Sequence, residues 1–207
     1  MTFKKIDFIK RRRSIRQYLP KKVEFNKILK ILNAAAHAPS AHNAQPWRYI
    51  IIDKPNTKKI LSEAMAEEWD NDLRNDGIDS KLRRKLTTDS INLFKNSPVI
   101  ITACVSMRDM IKYADEKRQS LEYLLAIQSV AASIQNLLLQ ASIEGLGAAW
   151  YCAPLFCQEV VQNILGLPGN IHPQALITIG YPAEDPPPPP RFNLNEIVYY
   201  NRWGTSL

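Results

Sequence analysis

The sequence predicts an α+β domain: helices packed on a sheet of short, buried strands. Two observations carry that reading. Residues 119–143 hold one unbroken helical pattern, with Leu121, Leu124, Leu125, Ile127, Val130, Ile134, Leu137, Leu138 and Ala141 recurring at spacings of three and four. Apart from it, the brief segments 47–52, 99–105, 148–152 and 174–180 are largely apolar and read as strands. At 207 residues and 45% hydrophobic content the chain can bury a substantial core, and 1–207 is read as a single domain.

The long helix would span roughly 24 residues, about 36 Å at 1.5 Å per residue, enough to cross a small domain. Its apolar residues nearly encircle it, so burial on most sides is expected, in a core or at a subunit interface. Glu122, Gln128, Ser129, Ser133, Gln135, Asn136, Gln140 and Glu144 make it too polar for a bilayer span, and no membrane is expected. The helix stops at Gly145-Leu146-Gly147, where two glycines permit close approach that other residues resist. A buried helix feeding a glycine turn suits a scaffold that brings backbone groups up to a ligand.

In chain order, residues 3–12 can form a short helix with Phe3, Ile6 and Ile9 on one side. Arg11-Arg12-Arg13-Ser14-Ile15-Arg16 follows, either a solvated basic face or a phosphate cradle, since arginine forks pair with phosphate oxygens. Residues 23–37 are a second helix, ended by Pro39. The loop 38–47 (APSAHNAQPW) is dense in hydroxyl, amide and imidazole groups and pinned by two prolines, chemistry suited to reading a planar heteroaromatic edge. After the strand 47–52, residues 56–66 form an amphipathic helix. Residues 67–96 are so densely and variously charged that they read as solvated helices or a mobile cover, with Trp69, Leu73 and Phe94 as pocket side chains or anchors. Strand 99–105 is central, residues 107–118 are a charged loop, and 158–165 is a helix ended at Gly166. Five prolines at 186–190 make a stiff arm that delivers Arg191 and then Ile197-Val198-Tyr199-Tyr200, an alternating segment able to add a strand to a sheet. Tyr199, Tyr200 and Trp203 argue that this tail packs on something.

The net charge of +7 is concentrated before residue 31, where eleven Lys and Arg face only Asp7 and Glu24. Such a patch attracts an anion: nucleic acid, an acidic membrane surface or a phosphate-bearing cofactor. Cys104, Cys152 and Cys157 lack zinc-type spacing and read as buried free thiols, and with only three histidines no histidine-rich metal site is expected. The first ten residues have no continuous apolar core, and a cytoplasmic enzyme is expected.

RRRSIRQY, followed about 25 residues later by APSAHNAQPWRYIII, resembles the flavin-dependent nitroreductase family. The resemblance continues through SVAASIQNLLLQASIEGLGAAW, similar to the family's central helix and glycine turn. It ends at RFNLNEIV, similar to its R-x-x-x-x-E-V segment. It implies a three-layer α-β-α fold with a mixed or antiparallel sheet, and a homodimer with composite sites and an exchanged C-terminal arm over 183–207. It also implies tightly bound, non-covalent FMN. Arg12, Arg13, Ser14 and Arg16 would hold its phosphate, ribityl chain and pyrimidine edge, and Arg191 would reach the phosphate. Pro39, Ser40, Ala41 and Asn43 would come from the partner subunit. Leu146 and Gly147 would offer backbone groups beside the hydride-accepting nitrogen.

The implied reaction is ping-pong: NADH or NADPH delivers hydride, and a nitroaromatic, quinone or similar electron-poor acceptor takes the electrons in its place. No catalytic side chain is expected, because the cofactor carries the chemistry. Pro189 stands where many members have a lysine, so phosphate anchoring leans on the N-terminal arginines, and Ala41 and His42 occupy positions that often hold small polar residues. The segment GLGAAWYCAPLFCQEVVQNILGLP is also similar to a subgroup that includes a domain fused to a deazaflavin-cofactor glutamate ligase. Reductive dehalogenation or deazaflavin-related reduction is therefore the alternative within the fold. A non-enzymatic nucleic-acid-binding protein would explain the charge but neither the amide-rich loop nor the glycine turn.

Overall fold

Alternation between helical and strand periods sets the order of elements along the chain, and the computed structural model describes them over residues 7–207. They are α1 (Asp7–Arg11), α2 (Phe25–Ala36), β1 (Trp47–Ile52), α3 (Pro55–Asn75), α4 (Ser80–Asn96) and β2 (Val99–Ser106), then α5 (Glu116–Ile143), β3 (Gly147–Tyr151), α6 (Gln158–Leu165), β4 (Ile171–Gly180) and α7 (Leu194–Ile197). The expected helix face at Phe3 and Ile6 lies outside the described residues, and Ile9 in α1 is exposed.

The four strands form one antiparallel sheet in the order β1-β2-β4-β3. The run Val99–Ser106 is buried along its whole length, as a central strand covered on both faces must be. On one face, α2 and α5 pack through Ile28, Ile31, Val130, Ile134 and Leu137 onto Ile101, Ala103 and Ile177. On the other, Leu61, Met65, Phe94 and Val161 from α3, α4 and α6 cover Ile52, Ile100 and Leu176. The result is the expected three-layer α-β-α arrangement. Helix α5 is apolar and long enough to cross a bilayer by length and composition, but its buried face is packed on the sheet.

Two expectations are corrected and two are sharpened. Within the single chain α5 is buried on one side only: Leu121, Leu124 and Leu125 stand 52%, 48% and 37% exposed. Of the two readings of residues 67–96, solvated helices hold and a mobile cover does not: they are the continuation of α3 and the whole of α4. The charges there order the hairpin: Asp70 pairs with Arg74 one turn on and with Arg83 across it, and Asp79 caps α4 by accepting from the amides of Lys81 and Leu82. The segment 197–200 adds no strand; Asn193 and Glu196 form a reciprocal capping box that turns the chain into α7 instead. Cys104 is buried, but Cys157 is only half-buried and Cys152 is exposed, because β3 ends at the surface.

Strand β4 also begins three residues earlier than expected. Its Pro173 has no amide to donate, and the ladder accommodates it with a register shift opposite Ala103 and Cys104.

Candidate functional site

Past Arg11 the basic segment runs extended along the open edge of β3. Ser14 pairs in parallel with Ala148, and the Ile15 amide donates to the Ala148 carbonyl at 3.1 Å. Ile15 is buried there in the space that a side chain at 147 would need: a Cβ on Gly147 would lie 2.6–2.8 Å from Ile15 Cβ, Cγ2 and Cγ1. Gly147 is thus the residue that lets the basic segment lie flat on the strand. Glu184 accepts from the Arg16 and Gln17 amides at 2.6 and 3.1 Å, and the Tyr18 hydroxyl shares a 2.7 Å hydrogen bond with Thr178 Oγ1. Burial pushes the Tyr18 phenol well above its ordinary pKa, keeping it neutral.

With the backbone pinned, guanidinium groups collect on one side. Arg12 is half-buried, and its pKa is lowered first by that burial and then by the like charges of Arg191 and Arg13. Arg13 donates to the carbonyls of Lys10 and Arg12 at 2.6 and 2.9 Å, and Arg191 to that of Pro190 at 3.1 Å. Among the described residues none of the three forms an ion pair, whereas Arg74, Arg83 and Arg118 all do. Arg16 is exposed, with Nη1 3.5 Å from the Ser14 carbonyl and its charge beside the Tyr151 phenol. Like charges gathered without a counter-ion form a site for an anion of high charge density, such as a phosphate.

The glycine turn is built differently from expectation. The Leu146 amide donates to the Ala141 carbonyl at 2.8 Å, closing the C-terminus of α5 as Gly145 adopts φ +74°. Leu146 therefore has no free N–H for a ligand, and its buried side chain serves the core. Gly147 opens β3 opposite Gly180.

The amide-rich loop is held by α5 at its other half. The Ala41 amide donates to Ser129 Oγ at 3.2 Å, His42 Nε2 lies 3.2 Å from Glu122 Oε1, and the Gln45 amide donates to Ser40 Oγ at 3.1 Å. His42, Asn43 and Gln45 all have positive φ, at 56°, 52° and 46°, a strained geometry that these contacts maintain. Pro39 and Asn43 project to the surface, while Ser40 and Ala41 are half-buried.

The chain therefore gathers Arg12, Arg13, Ser14, Arg16, Gly147 and Arg191 at one end of α5. It holds Pro39, Ser40, Ala41 and Asn43 elsewhere: Ser129, which anchors the loop, lies about 21 Å before the end of α5 at Ile143, at 1.5 Å per residue. Ile15, Glu184, Ser129 and Glu122 position these groups and were not anticipated. Glu122 and Ser129 did leave a signal, two polar residues two helical turns apart that end up buried on α5. Of the three suggested pocket residues, Trp69 and Phe94 line a cavity of about 700 Å³ between the α3–α4 hairpin and the end of β3, and Leu73 does not.

The sequence profile described as the Nitroreductase family matches residues 9–181. A putative NADH dehydrogenase/NAD(P)H nitroreductase of Archaeoglobus fulgidus is 28% identical over 178 residues, covering 84% of this chain and 83% of its own. The crystal structure of a putative NADH oxidase from Clostridium acetobutylicum superposes with a TM-score of 0.67 at 31% identity, covering 93% of this chain and 98% of that one. A putative nitroreductase of Desulfovibrio desulfuricans, solved in complex with FMN, shares the fold with a TM-score of 0.72 at 24% identity, over 96% of each chain.

Proposed function

The chain belongs to the nitroreductase family, and on that basis we propose that it is an FMN-dependent oxidoreductase that draws electrons from NADH or NADPH and passes them to electron-poor acceptors such as nitroaromatics or quinones. The observation that carries the cofactor assignment is the cluster of guanidinium groups on the edge of β3, without ion-pair partners among the described residues. Its donor set fits a flavin mononucleotide: Arg12, Arg13 and Arg191 for the phosphate, and the Ser14 hydroxyl and Arg16 for the polyol and the ring's polar edge. When bound, FMN supplies the redox chemistry, taking hydride from the nicotinamide and handing electrons to the second substrate in alternate half-reactions.

The protein's own part is to bind and orient. Glu184 and Tyr18 fix the backbone from which Arg16 projects, Gly147 lets that backbone approach, and the positive potential draws in anionic nucleotides. No nucleophile or dedicated acid is required of the side chains.

The second half of the site is assigned to another copy of the chain. The loop of Pro39, Ser40, Ala41 and Asn43 is anchored about 21 Å along α5 from the end that carries the cradle, too far to close over the same ring. A two-fold axis that lays two α5 helices antiparallel would bring each loop to the other copy's cradle. The surface supports that pairing: Leu121, Leu124 and Leu125 on α5, Phe25 and Leu29 on α2, and Phe192, Leu194 and Trp203 on the arm are apolar and exposed.

Purified protein should be yellow with a flavin absorption spectrum, bleach anaerobically with NADH or NADPH, and recover its colour with a nitroaromatic or a quinone. Colourless protein that takes up no added FMN would sink the cofactor assignment, and a monodisperse monomer that retains flavin would sink the composite site.

A further inference from the structure

We propose that the groove between the α3–α4 hairpin and the end of β3 is a binding site for hydrophobic amines: molecules with an apolar, preferably aromatic body and one cationic head. The groove is concave and of the size of small-molecule pockets, about 700 Å³. Met65 and Phe94 form a buried apolar floor, and Phe94 meets the ring of Tyr151 edge-on at 5.2 Å to make a rigid wall. At the rim, Trp69 is 38% and Phe156 83% exposed, large aromatic faces turned toward a hollow instead of into a core.

Charge selects the occupant. Three carboxylates line the groove, Glu68 and Asp72 one turn apart on α3 and Asp89 on α4, and its lining contains no Lys, Arg or His. None of the three forms an ion pair among the described residues, although Asp70, on the same helix, has two. In a chain of net charge +7 this is a local inversion of sign. The field reaches the wall: the Cys157 thiol is pushed up to about 11, by burial first and then by Glu68 and Asp72. An ammonium group at the mouth would meet these carboxylates and the faces of Trp69 and Phe156, while its body filled the floor. An anion of the same shape would be repelled. The groove adjoins the cradle only at Tyr151, which lies beside Arg16, and the assignment rests on the groove's own lining and not on the flavin reading.

The test is calorimetric titration of the purified, flavin-containing protein with naphthylmethylamine, the matching alcohol and the matching carboxylate. The amine should bind saturably at one site, at least about tenfold tighter than the carboxylate, with the alcohol between them. Joint substitution of Glu68→Gln, Asp72→Asn and Asp89→Asn, all at the surface, should reduce that preference to less than about threefold. Phe156→Ala should weaken all three ligands severalfold by removing an aromatic rim that is 83% exposed. Absence of saturable amine binding, equal affinities for amine and carboxylate, or a preference intact in the triple variant would each overturn the proposal. Flavin content, read by absorption on the same samples, reports separately on the cofactor assignment.

Discussion

Gly147→Ala is the substitution for which the structure supplies the most arithmetic. The added methyl would sit 2.6, 2.7 and 2.8 Å from Ile15 Cβ, Cγ2 and Cγ1. The first of these is the root of the side chain, so no rotamer change removes the overlap. Either the strand and the basic segment separate by several tenths of an ångström, or the segment lifts off β3. Overpacking of this kind costs about 1–3 kcal/mol. Lifting off would forfeit the Ile15 amide bond to Ala148, about 1 kcal/mol, and the burial of Ile15, about 1.5–3 kcal/mol. The smaller cost prevails, so the variant should lose about 2 kcal/mol in urea unfolding at fixed protein concentration. Because Arg12, Arg13 and Arg16 ride on the displaced segment, FMN affinity should fall by tenfold or more in a fluorescence titration, each tenfold being about 1.4 kcal/mol. Pairing the change with Ile15→Ala, which removes two of the three short contacts, should give a non-additive recovery. An unchanged urea midpoint together with unchanged FMN affinity would refute the argument that Gly147 exists for the approach of Ile15.

Further outcomes follow from the same geometry. Arg191→Ala should weaken FMN by about 10–100-fold, the worth of a charge-assisted contact, while slightly stabilising the flavin-free protein, because a like charge beside Arg12 is gone; loss of stability without FMN would contradict this. Leu124→Glu places a charge on the exposed stripe of α5 and should yield folded monomers by sedimentation velocity, with flavin lost in proportion; dimers that keep full flavin would place the interface elsewhere. The Tyr49 phenol, bonded to Ser133 Oγ at 2.6 Å, is pushed by burial up to about 12, so its neutral form stabilises the fold below about pH 10 and that contribution disappears as pH rises through 12. Wild-type protein should therefore lose more stability than Tyr49→Phe between those values, a difference on the order of 2 kcal/mol in denaturant midpoints. Parallel pH curves would remove Tyr49 from the account.

The parts of the fold that were legible were those in which local period and burial agree. β2 is apolar because both of its faces are covered, and α5 repeats at three and four because one side packs on the sheet. Its second apolar side could not be assigned from one sequence: a stripe such as Leu121 and Leu124 looks the same whether it faces a core or a second copy. Charge in α3 and α4 allowed solvated helices but left their pairing unread, because contacts such as Asp70 with Arg83 depend on a fold-back that composition does not encode. The tail shows the reverse case, where β-branched and aromatic residues suggested a strand but the Asn193–Glu196 capping box decided. At the candidate site the arginine motif marked the anion-binding groups. The backbone bookkeeping was invisible: nothing in Leu146 announces that its amide closes α5, and nothing in Glu184 that it holds the amides of Arg16 and Gln17.

The spacing along α5 has a genetic consequence. Under the proposed pairing each site draws its arginines from one chain and its amide loop from the other, so the two kinds of lesion are separable. A chain crippled at Arg12 and Arg191 keeps a sound loop, and a chain crippled at Ser40 and Asn43 keeps a sound cradle. Neither forms a working site with itself. Co-expressed, they would assemble mixed pairs in which one site inherits both lesions and the other inherits none, so two inactive alleles would complement each other, each mixed pair regaining about half the activity of a wild-type pair.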